Sequence, residues 1–175
     1  AKSGKKLKAL FTDPNTPIKC GGAPKKIMYL LNSKLEEAGV KDNVELHYFD
    51  DSSKYFGVKE YADAIEEQFK VRNFKTHFAH NLVGVDLNGK IATFNKTWTE
   101  KGEWDEDLEE YEVIKKNEEV TFDFDFIHIT PPMKAPDAIG KSAIGSKKGW
   151  VPVNQKTLQH VKYKNVFAIG DIAAV

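Results

Sequence analysis

The chain has 175 residues, 41 % hydrophobic and 30 % charged, a globular mix long enough for one good domain with part of another. Its 26 basic and 26 acidic residues cancel, so overall charge gives nucleic-acid binding no support. No apolar run reaches bilayer-spanning length, no signal-peptide pattern opens the chain, and a single cysteine cannot form an internal disulfide.

The run LKALFT, Leu7 to Thr12, reads as a short buried strand closed by a Pro-Asn-Thr-Pro loop. Ile27, Leu30, Leu31, Leu35 and Ala38 recur at helical spacing, with Pro24 suited to the first turn and Gly39 to the stop. VELHYFD, Val44 to Asp50, is the next strand. Val58, Tyr61, Ala62, Ile65 and Phe69 then mark one face of a second helix. Strand, helix, strand, helix predicts an α/β chain with a parallel βαβ core. From Phe74 the pattern alternates. FKTHFAH and LVGVDLNGKIATF predict meander strands, with a hairpin turn at Asn88-Gly89. YEVIKK and VTFDFDFIHIT predict two more, and the acids from Glu100 to Glu119 a solvated hairpin surface. A looser stretch from Pro131 to Lys164 precedes a last strand, NVFAIG. The chain starts without methionine and stops inside an apolar run, so the expectation is a piece of a longer protein. NVFAIG, lacking its sheet, is expected to be misplaced or to pair with another chain, which would give self-association.

The lone thiol sits in TPIKCGGAPKK. A strand passing through a tight turn into a helix leaves unpaired N–H groups pointing into that turn, and Lys19, Lys25 and Lys26 add positive charge. There Cys20 would ionise readily and act as a nucleophile. The alternative is a small buried hydrophobe. A nicotinamide-binding unit would show G-x-G-x-x-G directly after the first strand, whereas Thr12 to Pro24 is too long and holds only Gly21 and Gly22. Asp50 or Asp51 could serve as a ribose-binding acid, a weak signal alone. Near the carboxyl end, Gly170-Asp171 would let a backbone approach a ligand and a carboxylate accept hydroxyl hydrogen bonds. His77 and His80, three apart in one strand, should face opposite ways, and His47 and His128 should be packed or hydrogen-bonded. No metal site, P-loop or Ser-His-Asp arrangement is predicted.

FTDPNTPIKCGGAPKKIMYL, FGVKEYADAI, ITPPMKAPD, GWVPVNQKTLQH and NVFAIGD lie in order between Leu7 and Asp171. Together they resemble the sulfide:quinone oxidoreductases, and most closely the type that includes the mitochondrial enzymes. The resemblance implies a two-dinucleotide-fold flavoprotein related to the disulfide reductases. Residues 7–126 would be an inserted Rossmann-like domain, a parallel sheet with an antiparallel β-meander. Residues 127–175 would be the return into an FAD-binding domain. By the same resemblance Gly170 and Asp171 hold the ribityl chain of FAD, and Thr130 and Pro131 lie near the flavin. Cys20 matches the flavin-facing member of a redox-active cysteine pair. Sulfide would open the sulfur bridge between the pair and leave a persulfide on one cysteine; the other, as thiolate, would pass electrons to FAD and on to a membrane quinone. The second cysteine, the first FAD glycine motif and the helices for peripheral membrane association are not in this sequence, so the piece by itself is expected neither to bind FAD tightly nor to turn over sulfide. An insertion around Trp98 to Asp107 has no assigned role. The alternatives are an NAD(P)H-dependent disulfide reductase and a non-catalytic Rossmann-like interaction module.

Overall fold

The computed structural model describes residues 4–175, which divide into two compact units at Pro131–Pro132. In chain order the first unit contains β1 (Leu7–Thr12), α1 (Ala23–Glu37), β2 (Val44–Asp50), α2 (Lys59–Val71), β3 (Lys75–Phe78), β4 (His80–Asp86), β5 (Ile91–Asp105), β6 (Glu110–Asp123) and β7 (Phe126–Ile129). β1, β2, β3 and β7 form a parallel sheet in the order β3-β2-β1-β7, and β4, β5 and β6 form an antiparallel one.

The alternation along β1 and β2 explains the layering. Ala9, Phe11, Leu46 and Tyr48 point to one face and pack with Met28 of α1 and Phe69 of α2. Leu10 and Phe49 point to the other and pack with Ala92, Phe94 and Phe124 of the meander. Both faces of the parallel sheet are therefore covered, which is why these strands are nearly continuous apolar runs. Phe49 stacks on Phe94 at 4.1 Å and on His77 at 4.3 Å, each contact contributing about 1 kcal/mol beyond area burial.

The α/β class and the parallel core with its meander are as the sequence predicts, but several details differ. α1 buries Pro24, Lys25, Met28 and Asn32, while Ile27 lies near the surface and Leu30 is 61 % exposed. The i, i+4 line running from Pro24 faces the sheet, so of the expected stripe Leu31 and Leu35 pack against the core while Ile27 and Leu30 are turned away from it. Gly39, at φ +65°, closes this helix in a left-handed turn, with Val40 N–H donating to Leu35 C=O at 2.9 Å. In α2 only Phe69 is fully buried; Tyr61 is exposed and sits against Phe56. FKTH is not a meander strand: β3 adds in parallel to β2. YEVIKK and VTFD form one long strand, β6, because both face β5 across a continuous ladder. β7 begins at Phe126 and pairs with β1.

His77 and His80 also depart from expectation. Ala79 between them is left-handed at φ 57°, which breaks the strand alternation and brings the two rings to 5.7 Å. His47 Nδ1 lies 3.0 Å from His77 Nε2, so one ring donates and the other accepts. His47 Nε2 faces Glu45 at 3.4 Å, and Lys8 and Lys75 are the nearby cations. Burial, then the neighbouring His47 and His80, pushes His77 down to about 4, and burial lowers His47. Between pH 6.5 and about 4 the unfolded chain binds protons that folded His77 refuses. This contribution to stability is complete above pH 6.5 and is lost as pH falls toward 4. Urea midpoints are expected to drop across that window, and to drop less in His77→Phe. Equal pH profiles for the two proteins would contradict the assignment.

The second unit contains α3 (Asp137–Gly140), β8 (Val151–Pro152) and β9 (Ala173–Ala174), with β8 and β9 parallel around Val151, Val153, Ala168 and Ala173. His160 is buried there, accepting N–H groups of Lys162 and Tyr163 on Nδ1, which leaves Nε2–H to donate to Ile144 C=O. NVFAIG is not a strand. It makes one isolated bridge, Phe167 to Gln159, and Phe167 and Ile169 are exposed, because no neighbouring strand in this unit pairs along it.

Candidate active site at the carboxyl ends of the parallel strands

After β1 the chain moves outward through β2 and β3, then returns to place β7 on the other side of β1. The strand order reverses at β1, and sheets of this kind bind ligands outside the carboxyl ends of the strands at such a point. The loop 13–22 leaves β1 here and carries Cys20. Thr130, just past β7, donates its N–H to Thr12 Oγ1 at 3.3 Å, so Thr130 and Pro131 emerge at the same end of the sheet. Gly170 and Asp171 belong to the second unit.

Cys20 is exposed, which removes the reading of it as a buried hydrophobe. Its carbonyl accepts from Ala23 N–H at 3.0 Å, and Gly22 caps α1 two residues beyond it. Gly21 has a packing reason: a Cβ there would meet the Phe56 ring at 3.1 Å. Asp50 is buried and accepts from Tyr48 O–H at 2.9 Å and from Ser52 N–H at 2.8 Å. Gly21 and Asp50, two of the residues that hinted at a nicotinamide, are both used inside the protein.

Lys25 corrects an expectation. It is not a solvent-facing charge but is 4 % exposed, because the buried line of α1 carries it inward. Its Nζ lies 3.4 Å from Asp13 Oδ2 and 3.1 Å from Gly21 C=O, and 4.9 Å above the Tyr48 ring. Tyr48, fully buried, reaches Asp13 Oδ2 at 2.8 Å as well as Asp50. The one phenolic hydrogen is shared between the two carboxyl groups. Burial pushes the Asp13 carboxyl up, against the Tyr48 hydrogen bond and Lys25, and burial also pushes the Tyr48 phenol upward, keeping it protonated. This buried cluster ties the ends of β1 and β2 to the first turn of α1 and to the glycine beside Cys20. Sequence reading missed it. The available signal was an acid at the end of each strand and a lysine on the Met28 line of the helix.

Gly170 is left-handed at φ +73°, with no atom within 4 Å of a Cβ built there, and the Asp171 carboxylate beside it is exposed and makes no hydrogen bond among the described residues. Open backbone beside a free acceptor fits a polyhydroxylated chain such as the ribityl part of FAD. Among the described residues no group of three or more His, Cys, Asp and Glu is placed to hold a metal ion.

The sequence is 38 % identical over 164 residues to the mitochondrial sulfide:quinone oxidoreductase of Mus musculus, and 36 % identical over 164 residues to that of Dictyostelium discoideum. Each match covers 93 % of this chain. Over nearly its whole length the chain is similar to mitochondrial sulfide:quinone oxidoreductases. It spans about a third of the length of these curated relatives, 33 % and 32 %. The solved sulfide:quinone oxidoreductase of Aquifex aeolicus shares the fold, with a TM-score of 0.68 and 17 % identity over 96 % of this chain and 36 % of its own. A chain in the Tetrahymena thermophila mitochondrial ATP synthase structure also shares it, with a TM-score of 0.64 and 18 % identity over 98 % of this chain and 38 % of its own. At these identities the structural likeness carries the fold alone. No protein-family model matches the chain.

Proposed function

We propose that the chain is the cysteine-bearing part of an FAD-dependent sulfide:quinone oxidoreductase. The observation that carries the reading is the exposed Cys20 on the loop leaving β1, at the reversal point of a Rossmann-like sheet, in a sequence related to such enzymes. In this account Cys20 is one of a redox pair whose partner lies outside this sequence. Sulfide attacks the partner sulfur, the bridge breaks, the partner keeps the new sulfur as a persulfide, and Cys20 leaves as a thiolate. Gly170 and Asp171 would hold FAD, with Thr130 and Pro131 toward the flavin; when bound, FAD supplies a two-electron acceptor, and a membrane quinone takes the pair finally. Residues 7–126 are the inserted domain and 127–175 the return segment. Apart from the longer protein, the 175-residue chain is proposed to be inactive and to bind FAD weakly, since it carries one cysteine and no G-x-G-x-x-G. None of the described helices is long and apolar enough to cross a membrane; the proposed contact with the membrane is peripheral, through parts outside this sequence.

The commitment of Gly21 and Asp50 to internal packing weighs against the rival NAD(P)H-dependent disulfide reductase. Anaerobic titration of the longer flavoprotein separates the two. Sulfide is expected to bleach the flavin and NADH to leave it oxidised; the reverse pattern would overturn the proposal.

A further inference from the structure

The β5–β6 ribbon extends well past the rest of its sheet. β4 stops pairing with β5 at Lys96, so from Trp98 to Val113 the ribbon has only two strands and neither face is covered by a third. Between Glu103 and Glu112 there are seven acids and no lysine or arginine. Nearer the body, Glu118 pairs with Lys96 and Glu100 with Lys116, but none of these seven acids has an ion-pair partner among the described residues. Trp104 and Tyr111 are directly opposite in register, with rings 4.8 Å apart, and both are about half exposed. Val113, two residues on and therefore on the same face, is 63 % exposed. Leu108 is exposed at the turn.

We propose that this acidic, aromatic ribbon is a docking surface for a lysine- or arginine-rich segment of a partner protein that also offers an apolar pocket or side chain to Trp104 and Tyr111. The proposal does not depend on the sulfur chemistry. Charge selects the occupant. The seven acids outweigh the one cation at the patch, Lys101, whose Nζ lies 3.2 Å from the centre of the Tyr111 ring. The tip therefore stays negative and repels nucleic acid and anionic bilayers, so the exposed tryptophan is no membrane anchor here. Large exposed aromatics on an otherwise solvated ribbon provide the anchor, and the unpaired carboxylates provide steering and partner choice. The contact is small and mostly exposed, so it is weak and salt-sensitive.

The test uses calorimetric titration of the 175-residue chain with a helical Leu/Lys peptide of about 18 residues, against an oligolysine of equal charge, with phosphatidylserine vesicles and light scattering of the chain alone as further arms. The Leu/Lys peptide is expected to bind more tightly than oligolysine. Its binding is expected to weaken about tenfold or more in Trp104→Ala and in Glu106→Lys/Glu109→Lys, and about tenfold when salt rises from ~50 to ~300 mM. The charge-reversal variant keeps the Trp104–Tyr111 pair, so its loss of binding cannot come from an unravelled ribbon. Absence of peptide binding, equal binding by the variants, or equal binding of oligolysine would overturn the proposal. Vesicle binding, or self-association abolished by the same substitutions, would overturn it in favour of a membrane or a second copy.

Discussion

Lys25→Met is expected to destabilise the first unit by about 3 kcal/mol, because it leaves the buried Asp13 carboxylate without its cation. The methionine fills the same space, so the loss reports charge and hydrogen bonding more than volume. Lys25 stands between Asp13, Gly21 C=O and the Tyr48 ring with almost no contact with water. Tyr48→Phe removes the phenol from both carboxyls and is expected to cost about 1–3 kcal/mol. In the Lys25→Met/Asp13→Asn double variant no uncompensated charge remains at Asp13, and part of the loss should return. Thermal unfolding checks the series, with a midpoint lower by about 10 °C expected for Lys25→Met. An unchanged midpoint would mean that the ammonium is not where the structure places it.

Cys20→Ser, made in the longer flavoprotein, is expected to lower sulfide-dependent quinone reduction by at least about a hundredfold while leaving the melting midpoint within a degree or two. The side chain is exposed, so the exchange of sulfur for oxygen disturbs no packing. A hydroxyl can neither join a sulfur bridge nor leave readily from one. The non-catalytic interaction module predicts undiminished turnover in the same variant. The two accounts therefore diverge on one rate measurement.

Much of the fold was legible because burial on both faces of a sheet leaves a plain trace. LKALFT and VELHYFD could only be covered strands, and Asn88-Gly89 turns the hairpin it announces. The remainder depended on neighbours that a local pattern does not contain. FKTH alternates equally well beside β2 or in a meander, and only the sheet decides. Ala79 turns His80 back toward His77 through one backbone angle that no residue type there announces. Lys25 looked like surface charge because lysines usually are; its burial needs two strand-end acids and a phenol that come together only in three dimensions. NVFAIG has the composition of a strand, but a strand needs a partner, and the second unit gives it a single bridge. For the site, the cysteine corner was visible as chemistry in the sequence. The cluster that braces it was not.

The pairing of two sulfurs is what the whole mechanism requires, and non-reducing peptide mapping of the oxidised longer flavoprotein tests it most directly. The account predicts that the peptide containing Cys20 is recovered joined through sulfur to a second cysteine from outside this sequence, and that sulfide releases it. Recovery of Cys20 as a free, alkylatable thiol in the oxidised protein would contradict it.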